Sequence, residues 1–312
     1  MSINVFLSEK LPKKKDNIIS IISFDNEVNY CDNILSTGIP SLGSKKIYEI
    51  WEVDAKVDHK QYESLNISLS QNHIFGFTII DNNVSYEELQ LTIKKNYANF
   101  YKAANQNNMD IVKIWHYMPE LLKVYSSKKT NYSLLCDARE SVYKDYFKDL
   151  SYPAATVIGI EGNKILMYFL GASCLKYNVI ENKRQVSSYD YPQNIFLEKP
   201  MFSRAVRFLA HRSDNEKIVI SGTASIKGYK SMHNENLKKQ LNEAVKNYKT
   251  FVDIKNNNTN ICRVYLSKSQ IHHAQIVIKE LDKIFKSNNY LLLQGDICRE
   301  ELLIELEGIS SV

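Results

Sequence analysis

Residues 217–222 read KIVISG and, after a short gap, residues 236–252 read NLKKQLNEAVKNYKTFV. The first segment is a short apolar run, which is typical of a buried strand. The second has apolar residues at positions 237, 241, 244, 245 and 248, and these form one face of a helix that packs on a core. A strand followed by such a helix predicts a sheet covered by helices.

The same order of elements continues downstream and also appears in the first half of the chain. Hydrophobic patterns predict a second helix over 271–285 and strands at 261–266, 290–293 and 302–309. In the first half they predict two helices. One begins at Ser85, which forms a capping box with Glu88, and the other begins at Tyr132. The predicted strands there are 46–53, 65–69, 74–80, 111–117, 154–160 and 165–170. We therefore predict an α+β protein of two units, residues 1–175 and 176–312, each a mostly antiparallel or mixed sheet with two helices packed on one face.

Charge and hydropathy narrow the classes of function. The 312 residues include 40 Lys and Arg against 35 Asp and Glu, and these charges alternate along the chain rather than clustering. Such a pattern argues against a nucleic-acid partner and suits an anionic small molecule. No apolar run reaches the ~18 residues of a membrane span. The basic block Lys13–Lys15 follows a short apolar patch, the reverse of a signal peptide, so we expect a cytoplasmic protein with no membrane partner.

Motifs for cofactors and metals are missing from the sequence. It contains no phosphate-binding loop, no G-x-G-x-x-G, no G-x-S-x-G and no H-E-x-x-H. Its five cysteines form no C-x-x-C pair and no His/Cys cluster, so neither a disulfide framework nor a metal site is predicted. We expect no cofactor.

Two candidate catalytic residues lie near the C-terminus. Alternation in the last strand puts Leu303, Glu305 and Glu307 on one face. Either this face is exposed and its carboxylates are solvated, or Glu305 lies in an apolar pocket, where a raised pKa would suit a general acid. Cys298 is either a small core residue or a reactive thiol whose pKa Arg299 lowers, unless Arg299 pairs with Asp296 instead.

Three further features are candidates for binding an anion. Tyr132 and Arg139 lie seven residues apart on a predicted helix, hence on one face, either as surface residues or as a carboxylate clamp. Arg204 has the same two interpretations. Ser221–Ile226 is a run of small residues that lets a ligand approach the backbone closely.

Six blocks of the sequence, in the same order, resemble the chorismatase family, whose second half is similar to YjgF/RidA-like proteins. They span roughly residues 110–310 and are IWHY (114–117), YPAAT (152–156), ENKRQVSSY (181–189) with Tyr191-Pro192, PMFSRA (200–205), SGTASIKG (221–228) and GDICREELLIELEG (295–308). The resemblance implies removal of the enolpyruvyl side chain of chorismate, a dianion, as pyruvate without metal or cofactor. It implies that Glu305 is the proton donor and that Arg139, Tyr132 and Arg204 hold the substrate.

The resemblance leaves the second product open. Cys298 matches a cysteine of the members that form 3-hydroxybenzoate, whereas Ala224 matches an alanine of the branch that hydrolyses chorismate to 3,4-dihydroxycyclohexa-1,5-diene carboxylate. We favour 3-hydroxybenzoate, because the match of the reactive thiol of Cys298 is harder to explain by another cause than the match of the single methyl group of Ala224. A RidA-like binder or imine deaminase that has lost chorismate turnover is a third possibility.

Two positions depart from the family pattern. Lys183 replaces a proline, and Ile195 or Phe196 replaces a tyrosine, which removes one expected hydroxyl contact to the substrate. RidA-like proteins form trimers, but two units in one chain can satisfy part of that contact, so either a monomer or a small homo-oligomer fits.

Overall fold

The computed structural model describes residues 2–13, 16–125, 129–147, 151–192, 199–254, 261–285 and 289–312. Within these ranges the chain forms three sheets of five or six strands, one two-stranded hairpin and four α-helices. The predicted α+β class is therefore confirmed. None of the described helices is both long and apolar enough to span a membrane.

The first sheet comes from a part of the chain where the sequence analysis predicted only one strand. Its strands are β1 Ile3–Ser8, β2 Ile18–Ser23, β3 Val28–Cys31, β4 Ile34–Thr37 and β5 Tyr48–Val53, in the spatial order β1-β5-β2-β4-β3. The predicted strand 46–53 is real, but its assignment to the first repeated unit was wrong. It pairs with β1 and β2, so that Trp51 lies opposite both Val5 and Ser20. Periodicity identifies a strand but not its neighbours.

The second and third sheets each carry two helices. The second contains β6 Asp58–Tyr62, β7 Leu65–Leu69, β8 His73–Asp81, β9 Asp110–Pro119, β10 Ala154–Ile160 and β11 Lys164–Ala172, with helices α1 Tyr86–Gln106 and α2 Asn131–Tyr146. The third contains β12 Cys174–Ile180, β13 Ala205–Ala210, β14 Lys217–Ala224, β17 Ile261–Leu266, β18 Tyr290–Gln294 and β19 Ile304–Ser311, with helices α3 Leu237–Tyr248 and α4 Ala274–Ile284. The hairpin consists of β15 Ile226–Lys227 and β16 Lys230–Ser231.

The two larger sheets repeat one topology. Their spatial orders are β10-β9-β11-β8-β7-β6 and β18-β17-β19-β14-β13-β12. In both, the first pair is parallel and all other pairs are antiparallel. The predicted internal repeat, each sheet with two helices, is confirmed. We call residues 58–172 the first repeat and residues 174–312 the second repeat.

Local sequence explains most element ends. The Ser85 hydroxyl accepts a hydrogen bond from the Glu88 backbone N–H and so caps α1, as predicted. The last helix begins later than predicted, because Lys268–His273 form a 3₁₀ turn before α4. The last strand also begins two residues late, because the Leu302 N–H closes a turn onto the Arg299 carbonyl.

Each repeat buries its helices on one face of its sheet and turns the other face toward a shared core. On the helical faces, Ile114 and Met167 pack beneath α1 and α2, while Val264 and Leu306 pack beneath α3 and α4. The opposite faces of both sheets and one face of the first sheet meet in a single cluster of buried side chains. Representative members are Ile19, Trp51, Trp115, Tyr168, Val219, Tyr265 and Ile309.

A buried group of polar side chains joins the three sheets inside this core. Arg263 of β17 donates from Nε and Nη2 to the two carboxylate oxygens of Glu49 on β5, at 2.9 and 2.5 Å. Its Nη1 donates to Tyr117 and Tyr168 of the first repeat, at 2.8 and 2.5 Å. The same Nη1 lies 3.3 Å from Oε1 of Glu307 on β19. We call Arg263, Glu49, Tyr117, Tyr168 and Glu307 the central network.

Removing one charge from the central network should destabilise the whole molecule. We predict that Glu49→Gln lowers the free energy of unfolding by about 3–5 kcal/mol, because it removes the charged group that accepts two hydrogen bonds from the buried Arg263. Urea denaturation measures this change. The matched control is Glu280→Gln, which removes a surface pair with Lys283 and should change the free energy of unfolding very little, because solvent screens that pair. Equal effects of the two substitutions would contradict the prediction.

Candidate active site

The six side chains singled out from the sequence line one cavity between the two repeats. They are Tyr132, Arg139, Arg204, Ala224, Cys298 and Glu305. With its open mouth included, the cavity encloses about 670 Å³ of space not filled by protein atoms. The first repeat contributes Tyr132 and Arg139, and the second repeat contributes the other four.

Glu305 lies on β19, on the face that looks toward the first repeat. The predicted alternation is correct, since Ile304 and Leu306 pack under the helices on the opposite face. The alternative that Glu305 and Glu307 are solvated is wrong: they are 5% and 1% exposed, because the sheet of the first repeat covers them. Strand periodicity could not reveal this, because the covering layer comes from a distant part of the chain.

A β-bulge makes room for the Glu305 carboxyl group. Strand β14 contains one extra residue opposite β19 between Ile220 and Thr223. Gly222 lies in this bulge, and a Cβ atom there would fall 2.1 Å from Glu305 Oε1. Only glycine leaves the space that the carboxyl group occupies.

The surroundings of Glu305 favour its protonated form. Burial and, to a smaller extent, the neighbouring Glu307 carboxylate raise the pKa of Glu305 to about 8, although Lys113 and Arg204 act in the opposite direction. At neutral pH the group is therefore a carboxylic acid that can donate a proton into the cavity.

Cys298 is half-buried in the same cavity and remains a thiol. Burial and Glu305 raise its pKa to about 12, although Arg299 lowers it. Arg299 therefore lowers the pKa of Cys298, as one of the two interpretations of the sequence expects, but burial outweighs this effect. Arg299 donates instead to the Tyr229 carbonyl and the Ser231 hydroxyl, and it does not pair with Asp296, whose Oδ1 accepts from Ser267 and Lys268.

Arg139 is a buried cation with unused hydrogen-bonding capacity. It lies on α2 and is 1% exposed. Its Nη2 contacts Cys136 Sγ at 3.8 Å, while its Nε and Nη1 have no hydrogen-bond partner among the described residues. Tyr132 lies two turns earlier on the same helix and faces the same cavity. Because a buried guanidinium costs free energy unless it is paired, this site is suited to an anion.

Arg204 supplies a second cation. Its Nη2 donates to the Val186 carbonyl and the Tyr191 hydroxyl, both at 2.8 Å, and its guanidinium lies 5.1 Å from the Phe202 ring centroid. Its Nε is buried without a partner in the described part of the chain. Ala224 lies directly opposite Glu305 in the β14–β19 register, so its methyl group borders the acid.

Sequence reasoning did not single out several residues that complete the site. They are Thr156, Tyr191 and Phe202, which line the cavity, and His116 behind it. All four lie inside the blocks that carry the family resemblance, which was the available signal. Gly222, which also lines the cavity, lies in the predicted run of small residues Ser221–Ile226. Ile195 and Phe196, the predicted replacements for a tyrosine, lie outside the described residues.

His116 supports the Arg139 side of the cavity. Its Nδ1 lies 2.8 Å from the Thr156 carbonyl, which only accepts, so Nδ1 carries the proton and Nε2 accepts from the Tyr97 hydroxyl. Burial and Arg139 lower the pKa of His116 to about 3, so the ring is neutral. A neutral ring does not compete with Arg139 for an anion.

The arrangement combines a proton donor with anion-binding groups in a largely apolar cavity. Glu305 and the Cys298 thiol face it from one side, Arg139 from the first repeat and Arg204 from the second. No group of three or more His, Cys, Asp or Glu side chains suited to a metal ion occurs in the ranges that the structure describes. This geometry can bind a small anion and protonate it.

Comparison with known proteins agrees with the resemblance predicted from the sequence. The family described as "Chorismatase FkbO/Hyg5-like, N-terminal" matches residues 49–171. A 3-hydroxybenzoate synthase of Streptomyces hygroscopicus is 22% identical, with 96% of this chain and 93% of the relative aligned. A chorismatase of Streptomyces rapamycinicus is 25% identical over half of each chain. A chorismatase crystal structure superposes with a TM-score of 0.85 at 19% identity, covering 99% of this chain and 98% of the other. The similarity to chorismatases, and their fold, are confirmed.

The raised pKa of Glu305 should appear in the pH dependence of stability. Between about pH 4.5 and pH 8 the unfolded chain releases this proton while the folded protein keeps it. Stability therefore falls by up to about 1.4 kcal/mol per pH unit from this group. We predict that Glu305→Gln removes this contribution, so the variant gains stability relative to the wild type as pH rises to about 8 and gains no more above it. Urea denaturation across this range measures the difference; one that stays constant with pH would contradict the assignment.

Proposed function

We propose that the protein is a chorismatase that converts chorismate to 3-hydroxybenzoate and pyruvate. The observation that carries this proposal is a buried carboxyl group with a raised pKa, Glu305, in one cavity with Arg139 and Arg204, whose guanidinium groups have N–H donors without a partner among the described residues. Chorismate has two carboxylates, which match the two arginines, and a vinyl ether, which needs an acid. The names of the relatives support the same substrate.

In the proposed reaction Glu305 protonates the terminal methylene carbon of the enolpyruvyl group. The π electrons of the vinyl ether form the new C–H bond, and the positive charge is shared with the ether oxygen as an oxocarbenium ion. The Glu305 carboxylate, now charged and facing the cation, stabilises it. Arg139 and Arg204 hold the carboxylates, so the methylene carbon stays within reach of the acid.

The group that attacks the cation decides the second product. If the 4-hydroxyl of the substrate attacks, a cyclic intermediate leads to 3-hydroxybenzoate and pyruvate with no water added. If water attacks, the products are 3,4-dihydroxycyclohexa-1,5-diene carboxylate and pyruvate. The protonated thiol of Cys298, beside Glu305, is a second proton donor or relay for the aromatising route and supports 3-hydroxybenzoate. Ala224, on the other hand, is the feature that favours the hydrolytic alternative.

A test of the acid is the release of pyruvate from chorismate by purified protein. We predict that Glu305→Gln lowers this rate by about 10²-fold or more, because the amide keeps the shape but cannot donate a proton to carbon. Glu300→Gln, an exposed site in the preceding turn, is the matched control and should keep the wild-type rate. Undiminished release by Glu305→Gln would refute the acid role. No release by the wild type would refute chorismate turnover and favour a RidA-like binder or imine deaminase.

A second test concerns the role of Cys298. We predict that Cys298→Ala changes the product ratio from 3-hydroxybenzoate toward the diene diol while pyruvate is still formed, because only the aromatising route uses the thiol proton. Chromatographic separation of the products measures this ratio. Cys31→Ala, at an exposed cysteine, should leave it unchanged. If Cys298→Ala yields the wild-type ratio, the cysteine has no part in product choice.

A further inference from the structure

Two carboxyl groups lie two residues apart on the same face of β19, yet among the residues that the structure describes only Glu307 is paired with cations. Glu307 Oε2 is 2.5 Å from Lys113 Nζ and accepts from the Thr156 hydroxyl at 2.5 Å. Glu307 Oε1 lies near Arg263 and accepts from the Tyr265 hydroxyl. Although burial alone would raise the pKa of Glu307, Lys113 and Arg263 lower it, so the group stays ionised. Glu305 has no comparable set of partners among the described residues.

Lys113 and Thr156 belong to the first repeat but contact the β14 bulge of the second. Lys113 Nζ donates to the Ile220 carbonyl at 2.5 Å, at the start of the bulge. The Thr156 hydroxyl accepts from the Gly222 N–H at 3.1 Å while it donates to Glu307. The two residues therefore link Glu307 to the backbone segment on which the Glu305 carboxyl group rests.

The charges around Glu305 come from several elements. The second repeat contributes Glu307 on the same strand, Tyr265 opposite on β17, Arg204 before β13, and Cys298 and Arg299 before β19. The first repeat contributes Lys113 on β9 and Tyr132 and Arg139 on α2. The largest electrostatic influences from side chains are Glu307, which opposes ionisation of Glu305, and Lys113, which favours it. Lys113 is paired with Glu307, so the two influences on Glu305 partly cancel.

We propose that Lys113, Thr156 and Glu307 are positioning residues, which hold the Glu305 carboxyl group uncharged against the β14 bulge. This inference rests on the proposed role of Glu305 as proton donor. The ionised Glu307 keeps a negative charge beside Glu305, Lys113 limits that charge, and Thr156 fixes both Glu307 and the bulge. The acid on the second repeat is thereby prepared by residues of the first repeat.

The test is direct titration of Glu305 by ¹³C NMR of protein labelled at the glutamate carboxyl carbons, with Glu305→Gln identifying the resonance. We expect Glu307→Gln to lower the pKa of Glu305 and Lys113→Met to raise it, each by about one unit. Opposite directions distinguish an electrostatic role from simple loss of structure, which would move both variants toward the ordinary value of glutamate. Glu280→Gln, on the surface, should cause no shift.

The hydroxyl of Thr156 is tested by two substitutions. Thr156→Val, which keeps the shape, should lower kcat for pyruvate release about tenfold with little change in KM, whereas Thr156→Ser should retain most of kcat.

If Glu307→Gln does not fold, Lys113→Met and the double variant K113M/E307Q, in which both charges are removed, still test the proposal.

Two results would overturn this inference. One is that neither charge variant moves the pKa of Glu305, or that both move it in the same direction. The other is that Thr156→Ser loses as much kcat as Thr156→Val. Both are distinguishable from failure of the proposed function, because the NMR titration needs no substrate. If the wild type releases no pyruvate but the two charge variants shift the pKa of Glu305 in opposite directions, the electrostatic arrangement is supported and only the chorismatase role is refuted.

Discussion

The buried pairing of Arg263 with Glu49 and Glu307 connects the three sheets of the protein. Arg263 belongs to the second repeat, Glu49 to the first sheet, and the tyrosines that complete the guanidinium's hydrogen bonds belong to the first repeat. Each group would be costly to bury alone, and their mutual satisfaction requires all three sheets to be in place. The network therefore couples the packing of three separate sheets.

The cavity follows from this packing. When the two repeats meet face to face, the inner face of β19 is buried along its length, and its two glutamates must be accommodated without water. Glu307 forms ion pairs with the buried cations Lys113 and Arg263. Glu305 lines the cavity, where burial raises its pKa and favours the protonated form. A protonated carboxyl group beside arginines is thus a consequence of how charge is distributed over one strand.

The sequence allowed much of this to be predicted, and the failures have physical causes. Alternation around Glu305 gave the correct face of β19, and the amphipathic helices gave the repeat. The cover over Glu305 comes from β9 and β10, more than 140 residues away, which periodicity does not detect. The partners of β5 depend on long-range pairing in the same way. The bulge at Gly222, which makes room for the acid, depends on a register shift that small residues permit but do not specify. The family resemblance predicted the candidate site residues as one set, and the structure places them in one cavity. Their roles remain predictions.

We propose that an acid of the protein transfers a proton to carbon in a cavity built by both repeats. Turnover of chorismate in D₂O, followed by mass spectrometry of the pyruvate, tests this transfer. Because the exchangeable proton of Glu305 becomes deuterium, we predict pyruvate with one deuterium in its methyl group, formed at a rate that depends on Glu305. Freshly released pyruvate without deuterium would contradict protonation of the methylene carbon.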